Sequence, residues 1–471
     1  MPPSWPWSFR WEACSAIDSS VFAVLGVTDQ TAVFSAGFGA RDGRTVPTPD
    51  RRPTMCVVKA SLVAALVAAL AYMLATNPFG NVPPSLPSDS AMSALPSWPA
   101  YRASNALASV LGATAAATTP PSARAWAIIT AFMQSEILAT LLAHDVFDNI
   151  FPEGSTSAQA AIELGLHEPT LRRYLAAAET LGLVKHGRST DRFFLTEAGK
   201  TLRSDAPSSL RPIALFMHGG ATKAAWRAAT SRSIVTGESG WMLAHGQDIW
   251  HYLAEHPEEE ALFGQAMTGL TRPMSGAIVA DLKPPTSVGG RNATFCDIGG
   301  GVGTLLSEWL RHHPHARGFL LEQPAVVERA KEYLASRGVA GRSTVASGSF
   351  FEKLPANMGA ACDVFVIKHC LHNWADEPAA AILAHIREGS KKKHAILVAI
   401  EAVLMPGASA VLELPKRLMD INMATTVSHG ARERTMADFA ALFKSAGLPA
   451  PTRQTLRLPS VSLLTAPLHA A

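Results

Sequence analysis

Residues Phe295-Cys-Asp-Ile-Gly-Gly-Gly-Val-Gly303 constrain the fold of this chain more than any other stretch. The pattern predicts a short buried strand ending in Asp297, a glycine turn, and a helix from about Thr304 through Leu310. Glycine at the alternate positions Gly299, Gly301 and Gly303 lets the backbone bend tightly and lets a ligand press against it. The helix that follows points its unpaired N–H groups into the same space.

The spacing narrows the ligand. A dinucleotide fingerprint, G-x-G-x-x-G, fails in both registers, because its third glycine would fall on Thr304 or on Leu306. The pattern is instead D-x-G-x-G-x-G, and Glu322 closes the next apolar run, Gly318-Phe-Leu-Leu321. A carboxylate at a strand tip suits a ribose diol, which offers two donors. The glycines are not followed by the Lys-Ser/Thr pair of a P-loop, which argues against a nucleoside triphosphate. By elimination the turn suits an adenosyl ligand without a pyrophosphate, of which S-adenosylmethionine is the common one.

The rest of the chain leaves room for more than one domain. With 471 residues, 48% hydrophobic and 17% charged, two or three globular domains are expected. A net charge of +3 is too small to imply a nucleic-acid partner. The five cysteines lack CxxC spacing, so neither a disulfide framework nor a zinc site is expected, and no metal is assigned. Cys296 and Cys370, in apolar runs, read as core thiols.

Residues 1–122 form an extension unlike the remainder. Its first 54 residues are rich in Pro, Gly, Ser and Trp without a period and carry no expected fold. Residues 60–75 are apolar and uncharged, behind Arg51, Arg52 and Lys59, but fall short of the ~20 residues of a spanning helix. From 77 to 122 the chain is rich in Ala, Ser and Pro, and Asp89 is its only acid. Three readings stand: a bipartite organellar leader of plastid type, a membrane anchor acting through 60–75, or a start codon set too early, which would leave a cytoplasmic enzyme. Outside 60–75 the extension is expected to be disordered.

Residues 123–285 read as helical. Trp126, Ile129, Phe132 and Met133, then Ile137, Leu138, Leu141 and Leu142, recur at helical spacing in a long amphipathic helix. Ser157–Gly165 and Glu168–Gly182 predict a helix-turn-helix, and Leu183–Lys185 with Arg192–Leu195 a hairpin, together a winged helix. Its cations (Arg172, Arg173, Lys185, Arg188, Arg192) are too few for the phosphate contacts of a specific DNA binder, so no nucleic acid is expected. Residues 286–465 then alternate strands and helices, an open α/β sheet. Strand ends at Asp297, Glu322, Lys368 and Glu401 send polar groups toward the edge where such sheets bind ligands.

One strand runs into His369-Cys-Leu-His-Asn-Trp374. An imidazole at His372 could take a proton from a hydroxyl as a methyl group arrives. A carboxylate beside it would hold the tautomer and stabilise the imidazolium, and Glu401 and Glu433 are the candidates.

From about Ala123 to Leu464 the chain resembles the S-adenosylmethionine-dependent O-methyltransferases of the plant caffeic acid and acetylserotonin type, with their bacterial and fungal relatives. The pieces that carry the likeness are Thr170-Leu-Arg-Arg, Trp250…His256-Pro…Phe263…Met267, the glycine turn, Lys368–Trp374, Glu401-Ala-Val-Leu-Met-Pro406 and Gly430–Thr435. The resemblance implies a Rossmann-like doubly wound methyltransferase sheet behind an N-terminal all-helical winged-helix dimerisation domain, working as a homodimer on a small-molecule acceptor. It also implies His372 as general base flanked by Glu401 and Glu433, Lys368 near the cofactor's carboxylate, and Phe263 and Met267 lining the acceptor pocket.

Two departures stand out. Where the family usually has Gly-Asp followed by Met/Phe-Phe, this chain has Gly348-Ser349-Phe350-Phe351; Ser349 keeps a hydroxyl without the charge, while Phe350 can still pack on the adenine. Where plant members have His-Asp-Trp, this chain has His372-Asn373-Trp374, which alters contacts to the acceptor. Two rival functions remain open: an S-methyltransferase acting on a small thioether acid, as in dimethylsulfoniopropionate synthesis, and a non-catalytic winged-helix regulator.

Overall fold

The structure, a computed structural model, describes residues 97–469 except 151, 285, 459 and 460. The apolar run 60–75 lies outside the described residues. The chain divides into two units, one containing residues 94–121 and the other residues 122–471. The first holds helix α1, Trp98–Thr118, started by Ser97, whose side chain accepts the Ala100 N–H. Disorder was the expectation here; eight alanines among these 21 residues give the stretch strong helix propensity, which its acid-poor composition obscures.

In the second unit α2 (Pro121–Ala143) comes first. Then come α3 (Ser157–Leu164), α4 (Glu168–Thr180) and the antiparallel hairpin β1 (Val184–Gly187) and β2 (Arg192–Leu195). A capping box starts α3, where Thr156 and Gln159 exchange side-chain and backbone bonds. Leu141, Leu142, Phe147, Leu171, Leu175 and Phe193 form the core of this part. Arg172 is paired with Asp191 at 2.7 Å, and Arg192 donates to the Gly154 carbonyl. Helices α5 (Glu197–Lys200), α6 (Arg211–His218), α7 (Gly220–Thr236), α8 (Gly240–His245), α9 (Ile249–Glu255) and α10 (Pro257–Asp281) follow.

The remainder builds a seven-stranded sheet. Its strands are β3 (Phe295–Ile298), β4 (Gly318–Glu322), β5 (Ser343–Ser347), β6 (Val364–Lys368) and β7 (Ile396–Glu401), with β10 (Thr452–Thr455) and β11 (Ser462–Pro467). The order across the sheet is β10-β11-β7-β6-β3-β4-β5, the last five parallel to one another and β11 antiparallel to both of its neighbours, β7 and β10. Helices α11 (Thr304–His312), α12 (Pro324–Ser336), α13 (Ala356–Ala361), α14 (Asp376–Gly389), α15 (Ala410–Thr426) and α16 (Met436–Ser445) complete the unit with the short parallel pair β8 (Val403–Leu404) and β9 (Arg434–Thr435).

Both faces of the sheet's centre are covered, so β3, β6 and β7 are buried along nearly their whole length and alternate between two cores. Ile298, Phe365, Ile367, Leu397 and Ala399 face Ile382, Leu383 and Phe443. Phe295, Val364, Val366, Val398 and Ile400 face Leu306, Trp309 and Leu334 on the other side. After β3 the chain builds outward through β4 and β5, then returns to place β6 on the other flank of β3. That reversal opens a crevice at the carboxyl ends of β3 and β6, where open α/β sheets take their ligands.

One expectation is corrected. Cys296 is paired with Cys362 in a disulfide, Cα–Cα 5.9 Å, across 66 residues of sequence. Spacing alone does not show this, because the two meet only when β3 and β6 become neighbours. Cys370 is a buried free thiol.

Candidate active site

The turn after β3 takes positive φ at Gly299 (66°), Gly301 (61°) and Gly303 (84°), values that side chains disfavour. Gly300 is required for another reason: a Cβ there would lie 2.4 Å from Asp297 Cγ. At Gly301 a Cβ would meet nothing within 4 Å, so the turn is open on that side. Its N–H donates to Glu322 Oε2 at 2.8 Å, and the Gln323 N–H donates to Oε1. Glu322 therefore braces the turn, while each carboxylate oxygen retains a lone pair for a ligand donor. Burial raises its pKa, opposed by these two N–H groups.

Beneath the turn, Asp297 is 1% exposed and its Oδ2 has no hydrogen-bond partner. Burial pushes its carboxyl up to about 7, against the pull of the Lys368 ammonium and with a further push from Glu322. The folded protein therefore retains a proton that the unfolded chain gives up near its ordinary value of 3.8, so this group's stabilisation is lost as pH rises toward about 7. In thermal scans of the cofactor-free protein, Asp297→Asn should gain stability relative to the parent as pH rises across that window; a pH-independent difference would show that Asp297 does not titrate there. Lys368 stands at the end of β6; burial lowers its pKa, countered by Cys370, Asp297 and Glu401.

A cavity of about 400 Å³ opens beside the turn. Gly299, Glu322, Ser349 and Phe350 line it, so four of the expected cofactor residues meet in one space. The Ser349 hydroxyl accepts the Phe351 N–H at 3.1 Å. Asp248, Trp250, His251, Gln323 and Trp374 also line it and were not assigned from sequence. Asp248 caps α9 by accepting the Trp250 and His251 N–H groups, a cap signal readable in the chain. Its approach to a turn some fifty residues on is not readable.

The second cluster follows β6. His372 lies in the 3₁₀ turn Leu371–Asn373. Its Nδ1 lies 2.9 Å from Glu433 Oε1 and 3.8 Å from Glu401 Oε2. A carboxylate only accepts, so Nδ1 carries the proton and Nε2 is left as a base. Glu401 Oε1 accepts the Cys370 and Leu371 N–H groups at 3.1 and 2.9 Å. Burial pulls the His372 pKa down, but Glu401 and Glu433 outweigh it and the net shift is upward. Burial raises Glu401, with His372 opposing. The three side chains offer polar atoms within 4.8 Å of one another, a spacing a cation could use.

His369 also belongs to this cluster, although sequence reasoning gave it no role. It adopts φ 51° at the end of β6, and its ring lies 5.4 Å from that of His372, 21° from parallel. Asn373 Nδ2 donates to the His369 carbonyl at 3.4 Å, a bond that the aspartate of plant members could not donate. Phe263, on α10, is linked to this region by rings: it packs on Phe216 and Trp250, and Trp250 stacks on Trp374 at 6.1 Å. Met267 is half-buried one turn further along α10.

A glycine turn at the switch point of a doubly wound sheet, an acid at the next strand end and an aromatic-walled cavity define a Rossmann-like S-adenosylmethionine-dependent methyltransferase. The O-methyltransferase domain profile matches residues 228–449. The chain is 31% identical to the phenazine O-methyltransferase PhzM of Lysobacter antibioticus over 322 residues, covering 68% of this chain and 89% of that protein. It is 33% identical to the mitomycin biosynthesis 6-O-methyltransferase of Streptomyces lavendulae over 302 residues, 64% of this chain and 81% of that one. The crystal structure of CalO1, a methyltransferase of calicheamicin biosynthesis in its SAH-bound form, matches with TM-score 0.63 at 27% identity, over 75% of this chain and all of that one. This chain belongs to that O-methyltransferase family and is an S-adenosylmethionine-dependent enzyme.

Proposed function

We propose that the enzyme methylates a hydroxyl of a small aromatic secondary metabolite, with His372 as general base. The 2.9 Å contact of Nδ1 with Glu433 carries this reading, because it leaves Nε2 as the acceptor of a proton. S-adenosylmethionine, when bound, supplies an electrophilic methyl group on a sulfonium. Glu322 would hold the ribose diol, Phe350 would pack on the adenine, and Lys368 would pair with the amino-acid carboxylate. His372 would take the hydroxyl proton as the oxygen bonds to the methyl carbon and the carbon–sulfur bond breaks, which would leave S-adenosylhomocysteine, and the new imidazolium charge would lie beside Glu401 and Glu433. Phe216, Trp250 and Phe263 supply an apolar wall suited to a planar acceptor.

A thioether acceptor has no proton to lose, so two buried carboxylates arranged around an imidazole favour oxygen over sulfur. Transfer of labelled methyl to a panel of phenols, amines and thioethers tests this directly: phenols labelled in a base-dependent way support it, and thioethers labelled equally well without His372 would end it. For a DNA-binding regulator, the pairing of Arg172 with Asp191 and of Arg192 with a carbonyl leaves still fewer free cations.

We further propose a homodimer. Trp126, Ile128, Ile129, Phe132 and Met133 on α2 are 49–77% exposed, and Leu414, Leu418 and Ile421 on α15 are 55–61% exposed. Such apolar stripes on a single copy mark a partner surface. By length and composition α2 could also cross a membrane, but the second stripe on α15 has no such reading. Sedimentation should give a dimer, and Ile129→Glu with Phe132→Glu should shift it to monomer; a monomeric parent protein would remove the proposal.

A further inference from the structure

Arg434 is fully buried, 0% exposed, yet takes no part in the chemistry described above. Its Nη1 donates to the Leu371 carbonyl and its Nη2 to the Trp374 carbonyl, each at 2.8 Å. Nε donates to Asp376 Oδ1 at 2.9 Å. The guanidinium thus spans the turn that carries His372 and is anchored at the first residue of α14.

Its neighbours grip the same turn. The Arg432 N–H donates to the His372 carbonyl at 2.9 Å, and the Ser428 hydroxyl donates to the Asn373 carbonyl. All four carbonyls from Leu371 to Trp374 are therefore held by residues 428–434, and the Cys370 and Leu371 N–H groups are held by Glu401. The parallel pairing of Val403 with Arg434 brings this segment against the chain that leaves β7, and Glu401 and Glu433 both come within 4 Å of His372 Nδ1. One segment supplies the carboxylate on Nδ1 and also the clamp on the backbone behind the ring.

We propose that Arg434, anchored by Asp376, is a positioning residue that fixes the 371–374 turn so that His372 stays seated on Glu433. This rests on His372 being the base. Arginine is needed because one planar fork reaches two carbonyls and a carboxylate, whereas a lysine ammonium at the same charge cannot span them. Misplacing a catalytic group by about 1 Å can cost ~10²-fold in rate, and Arg434→Lys should lower kcat by about that factor with cofactor affinity unchanged. With the Glu433 contact loosened, the His372 pKa falls, and the acid limb of the kcat profile should move to lower pH.

The test is a double-mutant cycle on the full-length enzyme. Arg434→Lys should cost nothing further in a His372→Ala background. The same fractional loss in both backgrounds, or an unmoved acid limb, would overturn the positioning role while leaving the base intact. Full turnover by His372→Ala alone would instead overturn the base, and the positioning role with it. Should Arg434→Lys fail to fold, Asp376→Asn on the exposed anchor carries the same test: a lower kcat with a shifted acid limb supports the proposal, and parent-like values for both overturn it.

Discussion

Alanine at position 372 is expected to lower kcat by ~10²–10⁴, the range for losing a positioned general base, with cofactor binding intact. The two halves of this expectation come from different parts of the site. The cavity that would take the nucleoside is lined by Gly299, Glu322, Ser349 and Phe350, and His372 is not among its walls. Removing the imidazole should therefore leave calorimetric binding of S-adenosylhomocysteine unchanged. Turnover needs the neutral ring, and Glu401 and Glu433 raise its pKa above the ordinary 6.5 against the opposing effect of burial. The rate should consequently rise with pH through a midpoint above that value and level off once Nε2 is free. Glu433→Gln should bring the midpoint down, because a neutral amide no longer stabilises the imidazolium. If His372→Ala turns over like the parent at all pH values, proton transfer is not part of the rate-limiting chemistry. The acceptor would then be a group with no proton to lose.

How much of this was readable beforehand depends on which residues are asked about. The glycine turn, Glu322 and the strand ends were readable because one local pattern, a short apolar run closed by glycine or an acid, encodes each of them. Helix α12, Pro324–Ser336, was readable for a similar reason, with proline at its first position. The Cys296–Cys362 bond was not, since neither cysteine carries a local mark of its partner. His369 and Arg434 stayed hidden for a different reason. A positive φ at a histidine and a buried guanidinium over a turn are properties of tertiary packing, and the surrounding sequence looks like ordinary strand and loop. The same holds for Asp248 and Trp250, which reach the cavity from a helix two elements earlier in the chain.

Gly301 should separate ligand approach from backbone strain. Its φ of 61° costs an L-residue about 1–2 kcal/mol, while Asn, whose short side chain bonds locally, tolerates that region better than Ala. No protein atom lies within 4 Å of an added Cβ, so the Ala methyl meets no protein atom there. If the open side of the turn is where the cofactor presses, the bulkier Asn should weaken binding more than Ala while disturbing the fold less. Forcing extra atoms into a close-packed contact costs about 1–3 kcal/mol, roughly 5- to 150-fold in Kd. Gly300→Ala is the contrast, since its Cβ would lie 2.4 Å from Asp297 Cγ and 2.6 Å from Leu320 Cδ1, and it should lose thermal stability before binding is even measured. Calorimetry with S-adenosylhomocysteine beside thermal scans of the three variants reads both effects. Binding that follows stability, with Ala worse than Asn at 301, would mean that these glycines serve the turn's own geometry and that the cofactor does not press on this side.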